Sequence, residues 1–279
     1  SEMCIRHRSG GATGEHQSTQ SFAVTRFSAN VGFLWNELSL PEAIRGAAKA
    51  GFDAVECHWP YEVDPGEVSA ALSETGLPML GLNTSRGDVE AGDNGLAAVP
   101  GREGEAQEAI WQAIEYGSEI GAEAVHVLAG KADGETARGV FVKNLCTAAE
   151  LAAAQGMTIL IEPLNRHDAP GYFLRTTDQT RAIIEDVGAP NLKLMFDCYH
   201  VGRTEGDVTT RLHDLLPIIG HIQFASVPDR GAPDGGELNY RAVFAAIDAL
   251  GWTRPIGAEY RPASDTDTTL RWMRTLLSG

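Results

Sequence analysis

The chain has 279 residues, 43% hydrophobic and 22% charged, a globular balance that excludes disordered and fibrous classes. Its 22 Lys and Arg against 38 Asp and Glu leave a formal net charge of −16, a field that opposes polyanions, so no nucleic acid is expected as a partner. No apolar run approaches the ~20 residues of a membrane span, and Cys4, Cys57, Cys146 and Cys198 form no C-x-x-C pair. Scattered thiols without zinc or dithiol spacing point to a reducing, cytoplasmic setting with no membrane partner.

The opening stretch SEMCIRHRSGGATGEHQSTQS is too polar for a signal-peptide core. Residues 1–26 therefore read as a disordered or expression-derived tail, in which the sparse His7 and His16 lack the fixed geometry of a metal site. From Phe27 one arrangement recurs: an Ala-rich amphipathic stretch, a Gly, a short apolar run, then a polar residue. The first strand lies in SANVGFLWNE, and Ser39 before Pro41 and Glu42 marks the helix that follows. AAKAGFDAVE ends at Glu56, Asp64 before Pro65 and Glu67 opens the next helix, and SETGLPMLGLN ends at Asn83. EIGAEAVH ends at His126 and AAAQGMTILIE at Glu162; Thr177 opens a helical pattern through Val187 that leads to VGAPNLKLMFD and Asp197. GHIQ brings the seventh strand to Gln223, and DALGWTRPIGAE brings the eighth to Glu259. Gly51, Gly76, Gly121, Gly156, Gly188 and Gly251 stand where helices end in a left-handed residue.

Continuously apolar runs such as MTILI and LKLMF suit strands covered on both sides, in a parallel sheet with helices outside. About eight such units of ~31 residues fill the chain, the allotment of an α/β fold of the single (β/α)8 TIM barrel type over residues 27–279. An open doubly wound sheet would want a Gly-rich phosphate turn after its first strand, and SANVGFLWNE leads into none. Two longer loops, 84–102 and 225–239, are rich in Gly, Asp and Pro. Both suit lids at the catalytic end, and the first equally suits a structureless surface insertion.

Glu162, Asp197, Gln223 and Glu259 end four successive strands, whose C-terminal ends converge in a barrel. Three carboxylates around one point resist ionising together unless a cation sits between them. Four oxygen ligands favour Mg2+ or Mn2+ over Zn2+. His200, three residues after Asp197 in FDCYH, is placed to touch a substrate oxygen or donate a proton, while strand alternation turns Cys198 away. His126, Asn83, Glu56, His58 and Trp35 are candidates for the pocket wall, with packing or the support of other site residues as the alternative. Arg230, in VPDRGAPDGGELNY, is the cation best placed to pair with a substrate carboxylate. Arg102, Arg166 and Arg261 also fall near the catalytic face, and EPLNRHDAPGYFL adds Asn165 and Asp168 between Pro163 and Pro170.

The segments IEPLNRHDAPGYFL, MFDCYHVGRTEGDV, GHIQFASVPDRGAPDGGELNY and GAEYRP resemble those of the hydroxypyruvate isomerase family. That family belongs to the xylose-isomerase-like TIM barrels, with ketose 3-epimerases and apurinic endonucleases as distant relatives. The resemblance runs from about Phe27 to the end and is densest in the C-terminal half. It implies a metal site of Glu162, Asp197, Gln223 and Glu259, with Glu162 and Glu259 also the acid/base pair, His200 a substrate contact and Arg230 a carboxylate-side contact. Relatives often carry an acid in the loop where this chain has Arg230, Gly231, Ala232 and Pro233, a departure that bears on substrate identity. The implied reaction interconverts hydroxypyruvate and 2-hydroxy-3-oxopropanoate (tartronate semialdehyde) by proton transfer through an enediol, with a hydride shift under metal polarisation as the alternative. The expected partner is a small hydroxy-oxo acid, and a homo-oligomer is compatible with the sequence. The alternatives are a 2-oxo-tetronate isomerase, a ketose 3-epimerase, in which His commonly stands where Gln223 sits, and a barrel that binds sugar acids without turnover.

Overall fold

The computed structural model describes residues 25–276, so His7, His16, Cys4 and nearly all of the expected tail lie outside the described residues. Eight strands alternate with helices: β1 (Phe27–Asn30), β2 (Ala54–Glu56), β3 (Leu82–Asn83), β4 (Ala124–His126), β5 (Thr158–Ile161), β6 (Leu192–Asp197), β7 (Ile219–Phe224) and β8 (Ile256–Ala258). All pairings are parallel, in the order β2-β1-β8-β7-β6-β5-β4-β3. The ring closes through a parallel bridge between Val55 and Met79, where Leu80 N–H donates to the Val55 carbonyl at 2.8 Å and Val55 N–H to that of Pro78 at 3.0 Å. The chain is thus one (β/α)8 barrel, as the repeating pattern requires.

The helix signals hold locally. α1 (Leu40–Ala50) starts with the Glu42 carboxylate accepting the Ser39 N–H at 3.1 Å. α2 (Pro65–Thr75) starts with Asp64 Oδ1 accepting the Gly66 N–H at 2.8 Å, the usual satisfaction of orphan donors at a first turn. For the helix Thr177–Val187 the cap is Thr176, one residue before the expected start. All six helix-ending glycines have positive φ, between 64° and 90°.

The main core lies between strands and helices. Its C-terminal end is locked by Trp272, fully buried and edge-on to Phe27 at 4.9 Å between centroids. Inside the barrel a separate small cluster of Ala124, Leu160 and Met195 forms a floor. Two residues further along each of those strands stand His126, Glu162 and Asp197. A strand's side chains alternate between faces, so the alternation that puts these apolar groups on the inner floor carries the polar groups to the inner rim. Among the described residues no helix is long and apolar enough to cross a membrane, and Cys57, Cys146 and Cys198 form no disulfide with one another.

Candidate active site and metal centre

The C-terminal rim surrounds a cleft of about 320 Å3 whose lining includes Asn83, His126, Glu162, Asp168, His200, Arg230 and Glu259. Every residue expected to meet substrate therefore reaches one cavity. Asp197 and Gln223 lie just beneath, 1% and 2% exposed, as register partners on β6 and β7. The carboxylates of Glu162 and Asp197 and the His200 ring each offer one atom within 4.8 Å of the others.

His200 belongs to that cluster by distance but not by chemistry. Its Nδ1 receives the Asn165 backbone N–H at 2.9 Å and faces Asn165 Nδ2 at 2.8 Å. Both are donors, so Nδ1 accepts and the ring proton sits on Nε2. Burial, with Arg230 adding, pushes the ring's pKa down to about 3, which keeps the imidazole neutral. Nε2–H, 3.7 Å from Asp197 Oδ2 and 3.9 Å from Glu162 Oε1, is therefore a donor and not a metal ligand.

The oxygens that lack partners tell where a cation fits. Among the described residues, Glu162 Oε1, Asp197 Oδ2 and Gln223 Oε1 are buried with no hydrogen-bond donor, a costly condition for carboxylate and amide oxygens. Three members of the expected ligand set thus each hold out a bare hard oxygen, the donor type that Mg2+ and Mn2+ prefer. Glu259 is more committed. Its Oε1 accepts from Asn30 Nδ2 at 3.0 Å and meets His58 Nε2 at 3.0 Å, and its Oε2 takes the Arg230 guanidinium. One lone pair of Oε2 is left for a cation.

These surroundings push the carboxyls apart. Burial, reinforced by Glu259 and Asp197, raises Glu162 well above the ordinary carboxylate range, and burial pushes Asp197 up to about 7 against the pull of Arg230. Burial works the same way on Glu259, yet Arg230 and the His58 hydrogen bond hold it below the ordinary range. His126, with Nδ1 3.7 Å from Glu162 Oε2, is pushed by burial down to about 4. Burial also raises the Cys198 thiol far above its usual value, which removes it as a nucleophile.

Arg230 is delivered by a clasp. Ser226 N–H donates to the Gly231 carbonyl and Arg230 N–H to that of Ser226, both at 2.9 Å, while Arg261 N–H bonds the Arg230 carbonyl at 2.8 Å. The guanidinium pairs with Glu259 and stands 3.8 Å from both Asp197 and Asp168. It is engaged by the protein's own acids and lines the cleft as well. Asp168 accepts the Tyr199 hydroxyl at 2.7 Å; burial notwithstanding, that bond and Asn165 keep its carboxyl below the usual range.

Of the other arginines, Arg102 pairs with Asp93 and Glu105 at 2.6 Å each, and Arg166 is exposed. Arg261 lines the cleft together with Arg86, a residue absent from the sequence-based candidates. Arg86 lies over the Trp59 ring at 4.0 Å from its centroid, and neither it nor Arg261 makes an ion pair among the described residues. Its position three residues past Asn83 is the signal that points to it. Trp35 packs on Phe52 at 6.0 Å between centroids and donates to Asp267, so its role is structural.

The sequence profile described as "Xylose isomerase-like TIM barrel" matches residues 44–276. A 2-oxo-tetronate isomerase of Cupriavidus necator is 46% identical over 256 residues, covering 90% of this chain and 98% of that protein. A hydroxypyruvate isomerase of Escherichia coli K12 is 37% identical over 252 residues, covering 89% and 98%. Among solved structures, a Brucella melitensis protein described as an AP endonuclease of family 2 is similar, with a TM-score of 0.86 at 34% identity and coverage of 90% and 98%.

Proposed function

The chain belongs to the xylose isomerase-like TIM barrel family, and from that premise we propose that it is a metal-dependent isomerase of short 2-oxo hydroxy acids. Relatives at 37–46% identity are named isomerases of such acids, which supports the reaction class. The observation that carries the site assignment is the meeting of two oppositely biased glutamates, Glu162 and Glu259, on one cleft beside bare buried oxygens. Hydroxypyruvate is the expected substrate. 2-Oxo-tetronate stands beside it, because the 46% identical relative is named for that four-carbon acid.

Glu162, Asp197, Gln223 and the remaining lone pair of Glu259 would hold Mg2+ or Mn2+, which supplies Lewis-acid polarisation of the substrate's carbonyl and hydroxyl oxygens. Glu259, kept ionised by Arg230 and His58, accepts the proton from the substrate carbon, and Glu162 on the opposite side returns one to the neighbouring carbon. The hydroxyl proton of the enediol passes to the former carbonyl oxygen, and the two glutamates regain their starting states by proton exchange with solvent. His200 Nε2–H donates to a substrate oxygen, fixed in that tautomer by Asn165. Arg86 and Arg261 present the substrate carboxylate with guanidinium groups that no acid among the described residues engages. Asn83 and His126 line the wall that orients the carbon chain. A neutral ketose, as in the epimerase alternative, makes no use of those two cations, and the net charge of −16 disfavours a DNA backbone.

The test is a substrate panel on chelator-treated enzyme restored with Mn2+ or Mg2+, run in heavy water. Turnover of hydroxypyruvate or 2-oxo-tetronate that vanishes with chelator and carries solvent deuterium into the product carbon is the expected result. Faster turnover of a neutral ketose, or full activity in chelator, overturns the proposal; product without deuterium overturns the proton-transfer route.

A further inference from the structure

Glu56 is a buried acid that the proposed reaction does not use. It ends β2, is 4% exposed, and its partners lie on β7, separated from β2 in the sheet by β1 and β8. Its Oε2 meets His221 Nε2 and its Oε1 accepts Gln223 Nε2 at 3.2 Å. The side chain therefore crosses the barrel interior, and it does so over Gly257 of β8. A Cβ on Gly257 would collide with Glu56 Oε1 and lie 2.9 Å from Gln223 Cγ, so only glycine leaves the passage open.

The contact decides which end of Gln223 points where. Glu56 Oε1 accepts from Gln223 Nε2, so the group facing Glu56 is the amide NH2. The amide oxygen is left on the other side, buried and without a donor among the described residues, on the strand position in register with Asp197. Asp197 Oδ2 is bare as well.

We propose that Glu56 is the positioning residue of the metal centre: held by His221 and passing over Gly257, it locks the Gln223 amide with its oxygen presented to the divalent cation. Without the lock, the two faces of the amide compete, and the NH2 face repels a cation. The inference rests on the metal-site reading above and assigns to β2 a part in a centre whose ligands come from β5 to β8.

The test measures Mn2+ affinity by calorimetry on chelator-treated protein, with the melting temperature in chelator as a control for folding. In Glu56→Gln the new amide oxygen accepts from His221, which turns its NH2 to Gln223 and forces that residue to present NH2 to the site. Outer partners of this kind change metal affinity by about 10- to 100-fold, and a loss in that range is expected with the melting temperature little changed. The double variant Glu56→Gln, Gln223→Glu restores binding, because the carboxylate introduced on β7 can accept from the amide introduced on β2 with one oxygen and ligate with the other. His221→Phe, which frees Glu56, gives a smaller loss in the same direction and stands in if the first variant fails to fold. Wild-type affinity in Glu56→Gln, or a loss that the double variant leaves unrepaired, overturns the inference. A wild-type protein that binds no Mn2+ overturns the metal reading, and this inference with it.

Discussion

Asp197 shows what convergence demands of a single residue. It is 1% exposed, one oxygen accepts the Tyr199 N–H at 2.8 Å, and the other has no donor among the described residues. Burial raises its carboxyl to about 7 in the folded chain, against about 4 unfolded. The folded state then holds the extra proton, so stability falls as pH rises from about 4 to 7 and stays level above that. Glu162, raised also by burial, acts in the same direction. Glu259, held below its usual range against burial by Arg230 and His58, acts in the opposite one: its contribution is full above the ordinary carboxylate range and is lost at more acid pH. In chelator at pH 7.5, Asp197→Asn is expected to melt above the wild type, at about 2–4 °C per kcal/mol recovered for a chain of this size. The gap narrows toward pH 5. Saturating Mn2+ reverses the order, because only the wild type gains the full binding energy. A variant melting at or below the wild type in chelator at pH 7.5 counts against this electrostatic picture.

At the scale of elements, the two long loops prove to be clasps. Loop 84–102 lies against the strand ends: Ala98 N–H donates to the Ala129 carbonyl at 2.7 Å, and Asn144 Nδ2 to that of Ala97 at 2.8 Å. Leu96, Ala97 and Ala98 are buried, so this segment is no structureless insertion. It fixes Arg86 on Trp59, while loop 225–239 fixes Arg230 and, through its carbonyl, the backbone of Arg261. Residues of both loops thus bring positive charge to the cleft lining. A hydrogen bond to a charged group contributes about 1.5–3 kcal/mol, so Arg86→Gln or Arg261→Gln should raise KM for the acid substrate by about tenfold or more. Steady-state kinetics checks this, with kcat nearly retained. Unchanged KM in both variants removes these arginines from carboxylate binding.

Across the whole molecule, the barrel is legible in the sequence because apolar runs, helix-ending glycines and caps all recur in phase, and local rules govern each of them. The strand-end acids are legible for the same reason: position at a C-terminal strand end implies position at the rim. The destination of each side chain is not. Glu56 and Glu162 end their strands alike in sequence, yet one turns to His221 and the other to the cleft, because Gly257 opens a path for the first. The ion pairs of Arg230 are not legible in the sequence because the acids it meets, Asp168, Asp197 and Glu259, come from three distant parts of the chain. Such choices depend on residues far apart in sequence that meet only after folding.

The crossing of Glu56 to β7 has one more consequence, for the order of assembly. The bond from Glu56 to His221 joins positions 165 apart in sequence, and that from Asn30 to Glu259 joins positions 229 apart. Contacts of such span form after local ones, since closing long loops must precede them. A refolding chain should therefore regain its helical circular dichroism before it can capture Mn2+, and the free-Mn2+ resonance signal should fall only in the slowest phase. Uptake concurrent with the first helical signal would contradict this. The ion thereby becomes a reporter of the moment when the two ends of the chain have found each other.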